Sequence, residues 1–429
     1  MAISTDTPVT PRLRVAISGG GPAGLAAAIA LLEKPGFEVT IYEQATELRE
    51  VGAGLRVGYN SWRVLGLLGV ADKVKGHIKV DHQHRDGVTG EVLYTYPPYE
   101  GDWKYHDTRI RRTVLQDALK SRVPSRIIQL KKRLVDLVQQ PGGGVTLLFE
   151  DGTSAHADLV IGADGIRSAV RRATFPDHAT TYNGTTIWRC LIPLDAVDHL
   201  SITKYTAFHH GPKRMFKCSV VSTKEEIEAG KGLWEMTLRS YEDPAQARGK
   251  KYSWGIPANN ERVASHFTAF SPEIREAIDR VPEGAWREFS AFSGPRLQQV
   301  IANGNTAIIG DASHPLLGAF GTGAGFAMED GWLLAQILEL SLNQHKKDKP
   351  RALQETLDLF DNIRSPYYHK IYDVLDAKPK DGKVDYAAWS PTPGGPLNWV
   401  YFHDIEEDWK RIKKGFKAVN QGSVPQNNT

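Results

Sequence analysis

One glycine-punctuated stretch, residues 14–44, constrains this chain more than any other: RVAISGGGPAGLAAAIALLEKPGFEVTIYEQ. Its opening run, within LRVAIS, has the apolar, β-branched character of a buried parallel strand. Gly19, Gly21 and Gly24 follow at G-x-G-x-x-G spacing, and PAGLAAAIALLEK has strong helix propensity up to a Pro35–Gly36 stop. EVTIYE then supplies a second strand that closes on Glu43, nineteen residues after Gly24. Each part has a mechanical purpose. Gly19 permits the tight turn, Gly21 lets a pyrophosphate approach the backbone, and Gly24 lets helix and strand pack closely. The helix start offers unpaired N–H groups and partial positive charge to that pyrophosphate. Glu43 can accept from the hydroxyls of an unphosphorylated adenosine ribose. The pattern predicts dinucleotide binding and leaves NAD and FAD undistinguished.

Two distant segments bear on that choice. In HADLVIGADGIRSAVRR (156–172) a strand runs into Asp164–Gly165 and a basic helix. In NTAIIGDASHPLLGAFGTGAGFAMEDGWLLAQILEL (305–340) a strand leads to Gly310–Asp311, then a loop with Gly318, Gly321, Gly323 and Gly325, then a long helix. A Gly-Asp pair after a strand sets a carboxylate at the carboxyl edge of a sheet, where open α/β folds bind ligands. The second glycine loop offers another anion-stabilising helix start, which a flavin dinucleotide has a use for and NAD does not.

Together these segments resemble the group A FAD-dependent aromatic monooxygenases, most closely the salicylate-hydroxylase-like branch found in fungi. The resemblance spans about residues 12–375 and includes REVGAGLRVGYNSWRVLGLLGV (49–70), RIRRTVLQDAL (109–119) and, in the tail, WVYFHDIEEDW (399–409). It implies a Rossmann-type (GR2) α/β FAD-binding domain with an inserted, largely antiparallel β-sheet substrate domain. It further implies non-covalent FAD held by Glu43 at the adenosine ribose, with Ala53 and Gly54 against the flavin side. Arg112 would reach toward the pyrophosphate, Asp311 would bind the ribityl chain, and the Gly323–Ala324 amides would face the pyrimidine edge. Asp164 would serve FAD and the incoming nicotinamide. NADH or NADPH would reduce the flavin, and a flavin hydroperoxide would hydroxylate a phenolic or hydroxybenzoate-type ring, with loss of carbon dioxide where a carboxylate sits on the attacked carbon. No second strand–GxGxxG–helix unit occurs, matching a family that binds NAD(P)H only transiently.

Bland alternatives stand beside several of these assignments. Arg112 neighbours Arg109 and Arg111, and any of them can be a surface charge. Asp164 can simply cap the helix that follows it. Arg189, the candidate catalytic residue after Trp188, can hold a phenolate or carboxylate, or stack on the outer face of its sheet. Cys218, where some relatives carry a tyrosine, reads as a buried structural thiol. His314 can be a histidine bonded within its own loop. Gly318 replaces the proline of the commoner bacterial loop, which weakens the transfer of substrate contacts. YSWGIP (252–257) matches a halogenase stretch poorly, and the other readings are a halogenase or reductase of the same fold, or a non-catalytic FAD-bound redox sensor.

Organisation follows from the patterns. Residues 12–180 and 290–375 read as the FAD-binding domain, 181–289 as the alternating, β-rich insertion and 376–429 as a tail, with 421–429 disordered. A helix over 350–377 is expected to kink or break at Pro366. A formal charge of +3 with dispersed basic residues argues against nucleic acid, and no apolar run reaches membrane-spanning length. Residues 1–14 read as a loose polar arm without the apolar core of a secretory signal. The two cysteines favour a reducing, cytoplasmic compartment, and the histidines lack a metal-ligand pattern. The expected partners are a small aromatic substrate, O2 and NAD(P)H, with a monomer or homodimer left open.

Overall fold

A computed structural model describes residues 13–48, 53–79, 81–98, 100–245, 253–294, 296–316, 318–377 and 384–420. The arm before residue 13 and the expected disordered end, 421–429, lie outside the described residues. The organising element is a six-stranded sheet in the order Ile301–Ala302, Thr306–Ile308, Leu159–Gly162, Leu13–Ser18, Phe37–Tyr42, Ile128–Gln129. All its pairings are parallel except the hairpin formed by the first two strands. Ser18 pairs with Gly162, and Gly162 with Ile308. The loops that begin at Gly19, Ala163 and Ile309 therefore emerge side by side at the carboxyl edge, bringing three distant sequence segments to one crevice.

The helix Pro22–Leu32 is buried along almost its whole length, which explains its alanine run. It lies against the helix Gly323–Gln344, where a side chain at Gly331 would meet the Ala27 nitrogen at 2.7 Å. Small residues are what allow two backbones to approach this closely.

The second large element is an eight-stranded sheet, ordered Trp254–Pro257, Arg287–Ser293, Thr181–Pro193, Leu233–Tyr241, Arg214–Val220, Thr206–Gly211, His82–Asp86, Val92–Thr95. It is antiparallel apart from the Thr206–Gly211/His82–Asp86 pair. Two of its strands come from residues 82–95, outside the expected 181–289 insertion, and another runs on to Ser293. The parallel pairing of Thr206 with His82 covers an edge that would otherwise present unpaired backbone. Such a non-local pair leaves no local sequence signal.

One face of this sheet is a core of Trp188, Cys190, Phe216, Cys218, Trp234, Met236 and Leu238, packed against helices Asn260–Ser265 and Pro272–Asp279. Burying a side chain such as Phe216 contributes about 1.5–3 kcal/mol. Cys218 lies here fully buried and unlinked, its thiol pushed up to about 12 by desolvation, as a structural thiol requires.

The expected break at Pro366 is absent: Lys349–Asp376 runs as one helix through it. A proline there removes one donor at a cost of about 3 kcal/mol. Arg364 and Tyr368, on either side of it, both bond the same Asp330 carboxylate oxygen, at 2.6 and 2.7 Å, and clamp the helix across the gap. Among the described residues, no helix is long and apolar enough to cross a membrane.

Candidate active site

The glycine loop after the first strand has the geometry its sequence predicts. Gly19 takes a φ of +106°, and a side chain on Gly24 would collide with the Gly19 carbonyl. A side chain at Gly21 would meet nothing within 4 Å, so the start of the helix Pro22–Leu32 is open to a ligand. Glu43 lies beside this opening, accepting from the amides of Gly20 at 2.8 Å and Ala45 at 2.9 Å. It thereby fixes the loop while keeping lone pairs for another donor.

The strand Gly54–Val57 pairs with Thr108–Arg111, and the Arg112 amide donates to the Ala53 carbonyl at 2.8 Å. Ala53, Gly54 and Arg112 are thus brought together. Gln116, unremarked in the sequence, ties the helix Arg112–Lys120 to the glycine loop through the Gly20 carbonyl at 2.9 Å. Its place one turn after Arg112 is the only signal that could have found it.

Asp164 caps the helix Ala169–Thr174, accepting from Ala169 at 2.7 Å and Val170 at 3.2 Å through Oδ2. Its Oδ1 is buried and unpartnered, and burial raises the carboxyl above its ordinary value. The capping alternative therefore describes one oxygen and leaves the other to a ligand. Asp311, in the turn Gly310–Ala312, is solvent-accessible but hemmed in by protein. That surrounding mass raises its carboxyl, against the pull of His314, Arg112 and Arg171. His314 is buried, and its side chain bonds Asp330 of the helix Gly323–Gln344 at 2.7 Å, not a partner within its own loop.

Gly323 and Ala324 open the helix Gly323–Gln344, whose N-cap residue, Thr322, supplies no side-chain cap. A side chain at Gly323 would again meet nothing within 4 Å. Just before it, Gly318 takes a φ of +76°, which the ring of the bacterial proline forbids. Phe320, unusually for a non-glycine, takes +57°. Its ring is held by Trp389, stacked at 5.5 Å, and Tyr401, edge-on at 6.0 Å. The tail is therefore packed against the glycine loop.

Opposite the loop lies the inner face of the eight-stranded sheet. Register sets Arg189, Thr237, Lys217, Phe208 and His84 in one row, with Glu235 and Arg239 flanking Thr237 on the same face. A side chain at Gly318 would come within 3.1 Å of the Arg239 guanidinium, so this face looks onto the loop. Arg189 faces inward, bonded through Nη2 to both the Glu235 carboxylate and the Gly54 carbonyl. Glu235 also pairs with buried Arg109 and accepts from the Gly54 amide at 2.7 Å. Burial would raise its carboxyl, but Arg189, Arg109 and Lys217 hold it well below the carboxylate range. A second cluster sits nearby, where Asp107 accepts from Arg56 at 2.8 Å and Lys79 at 2.9 Å. Despite burial, those two cations hold Asp107 at about 2. Alternation of charged residues along LWEMTLRSY was the available sequence signal for this face.

Among the described residues, no group of His, Cys, Asp and Glu is arranged to hold a metal ion. The two open glycine positions, the uncapped helix starts and the orphaned Asp164 oxygen fit a long, anionic dinucleotide with polar groups at both ends.

Comparison with known proteins gives the same answer. The profile of the family described as "FAD binding domain" matches residues 12–373. A 6-methylsalicylate 1-monooxygenase of Aspergillus terreus is 28% identical over 92% of this chain and 90% of its own length. An FAD-dependent monooxygenase of Monascus ruber is 31% identical over 82% of this chain and 84% of its own. The fold resembles that of a salicylate hydroxylase substrate complex, with a TM-score of 0.72 at 20% identity over 93% of this chain and 97% of that one.

Proposed function

This chain belongs to the FAD-binding-domain family, and from that membership we infer that it is an FAD-dependent monooxygenase hydroxylating a phenolic or hydroxybenzoate-type aromatic, with NADH or NADPH as reductant. One observation carries the reading: an opening lined by uncapped helix starts faces a sheet surface rich in cations and aromatic rings. The activities named for the relatives support the substrate class.

When bound, FAD supplies the redox chemistry that passes electrons from the nicotinamide to oxygen. The chain's own residues position, stabilise and shield. Glu43 would take the adenosine ribose, Gly21 and Arg112 the pyrophosphate, and Asp311 with the free oxygen of Asp164 the polar middle. The Gly323 and Ala324 amides would stabilise negative charge at the ring end. Arg189, Glu235 and Gly54 lock the sheet to the strand Gly54–Val57 and so would set the substrate floor against the cofactor. Phe320, Trp389 and Tyr401 keep water from the reacting centre.

On this reading residues 12–180 and 290–375 bind the cofactor, 181–289 joined by the 82–95 hairpin covers the substrate, and 376–429 is the tail. The unlinked buried thiols support a reducing, cytoplasmic setting for a monomer or homodimer. The test is purification with FAD, then oxygen-dependent NADH or NADPH consumption against a panel of phenols and hydroxybenzoates. Mass spectrometry should show products carrying one added oxygen atom. Folded protein that takes up no FAD, or whose reduction no aromatic stimulates, ends the proposal.

A further inference from the structure

Where the inner face of the eight-stranded sheet meets the small sheet of Gly54–Val57, His77–Ile78 and Thr108–Arg111, positive charges outnumber carboxylates. Glu235 serves Arg109 and Arg189, and Asp107 serves Arg56 and Lys79. The side chain of Lys217, in the middle of the same face, has neither a hydrogen bond nor an ion pair among the described residues. Its ammonium has only the face of the Phe208 ring, 5.4 Å away.

The surroundings of Lys217 suit an arene. His84 stacks on Phe208 at 5.2 Å, and His82 stacks on Tyr96 at 3.9 Å. The Nε2 of His82 is buried without a partner, and both ring nitrogens of His84 are already engaged, by His210 and Tyr96. A flat aromatic wall with one unanswered cation and one unanswered ring nitrogen is the complement of a ring bearing an anionic, hydrogen-bonding substituent.

We propose that Lys217 is the anchoring cation for the carboxylate of an aromatic carboxylic acid, so that the substrate is a hydroxybenzoate-type acid rather than a neutral phenol. The proposal rests on the monooxygenase reading and narrows its substrate. Burial and the neighbouring Arg109, Lys79 and Arg189 push the Lys217 amine well below its ordinary value, with only Glu235 opposing. A carboxylate arriving beside it would restore the charge that the empty crevice disfavours. The bond is a charge-assisted ion pair and involves no covalent step.

The test compares FAD-loaded wild type with Lys217→Met, which keeps the side-chain length against Phe208 and removes the charge. Calorimetric titration with salicylate, 3-hydroxybenzoate and 4-hydroxybenzoate is set against titration with the matching amides. Wild type should bind at least one acid about tenfold or more tighter than its amide, and Lys217→Met should weaken that acid by about 10- to 100-fold while leaving the amide unmoved. Lys217→Arg should recover part of the loss. Because the substitution removes a half-buried amine whose charge the surroundings disfavour, the melting temperature of Lys217→Met should hold or rise, and FAD content should be unchanged.

Wild type that binds none of the acids, or binds acids and amides alike, overturns the proposal. So does a Lys217→Met protein that keeps the preference, or one that loses FAD, which would give Lys217 to the cofactor. A Lys217→Met protein that fails to fold gives the lysine a structural role and also overturns it, with Lys217→Gln as the check on packing. Failure of the monooxygenase reading looks different: no arene, acidic or neutral, stimulates nicotinamide oxidation, whatever the binding arms report.

Discussion

Asp330, in the long helix, accepts a hydrogen bond from the amide of Gly310 at 2.9 Å. Through this bond the helix holds the Gly310–Asp311 turn at the carboxyl edge of the parallel sheet. The same carboxylate binds His314 at 2.7 Å, Arg364 at 2.6 Å and Tyr368 at 2.7 Å. Burial would raise it, yet Arg364 and His314 lead in holding it at about 2. Asp330→Asn cannot accept from all four donors and leaves Arg364 buried without its strongest partner. A loss of about 3–5 kcal/mol in unfolding free energy is expected, with weaker FAD retention. Tyr368→Phe, which removes one donor to Asp330 and one acceptor for Arg364 but no charge, should cost about 1.5–3 kcal/mol and leave FAD bound. Denaturant unfolding and flavin content measure both, and equal effects for the two variants would refute the hub.

The glycines of the first loop should separate stability from binding. Gly24→Ala drives a methyl into the Gly19 carbonyl and should lower the melting temperature sharply or prevent folding. Gly21→Val has room in the structure and an extended backbone at φ −77°. It should fold with near-normal stability and fill the space where the pyrophosphate would approach. Thermal unfolding of the apoprotein and equilibrium titration with FAD distinguish the two. Tight FAD binding by Gly21→Val would remove that opening from the cofactor site.

The contrast between these glycines shows what the sequence could reveal. Gly19, Gly24, Asp164 and Gly310 were readable because a short chain segment alone dictates their backbone geometry. The alternation that marked the strands was equally local, and the face it buries followed from it. Glu235, Asp107 and Gln116 were not readable, because each acquires its partner from a strand or helix distant in sequence: Gly54 lies 181 residues from Glu235. The hairpin at 82–95 joined the sheet for the same reason, through a parallel edge pairing. At Pro366 the break, one of the two outcomes expected, does not occur, since tertiary contacts at Asp330 override a strong helix-breaking preference.

Glu235 gives a sharper test of the inner face than Arg189 does. Arg109 is 3% exposed at its side chain and Glu235 2%, so neither charge has water to fall back on. Glu235→Gln should cost about 3–5 kcal/mol, because Arg109 and Arg189 lose their shared counter-charge and one amide oxygen cannot replace both carboxylate oxygens that serve Arg109, Arg189 and the Gly54 amide. Arg189→Ala should cost less, since Arg109 still answers Glu235. It should keep FAD and lose substrate-stimulated reduction, as the sheet loses its bond to the Gly54 carbonyl. Stopped-flow reduction by NADH with and without an aromatic ligand decides this, and unchanged stimulation would separate Arg189 from the chemistry.

His403 fastens the tail to the body and makes that attachment depend on pH. Its Nδ1 meets Glu329 at 3.1 Å and its Nε2 meets Asp408 at 2.7 Å, with the Tyr367 ring at 4.9 Å and the Arg364 charge nearby. Burial lowers the imidazole, but Glu329 and Asp408 outweigh it and raise it to about 9. The folded value lies above the unfolded 6.5, so the stabilisation is complete below pH 6.5 and is lost as pH rises through 9. The shift corresponds to about 3 kcal/mol at full effect. Lys79, lowered by burial from 10.5 to about 8, has the opposite sign, and its penalty eases over the overlapping range from pH 8 upward. Comparison of wild type with His403→Gln cancels that contribution. The stability gap between the two should be widest near pH 6 and narrow by about 3 kcal/mol at pH 10, read from urea unfolding at each pH. A gap that stays constant across the range would mean that His403 is not charged in the folded protein.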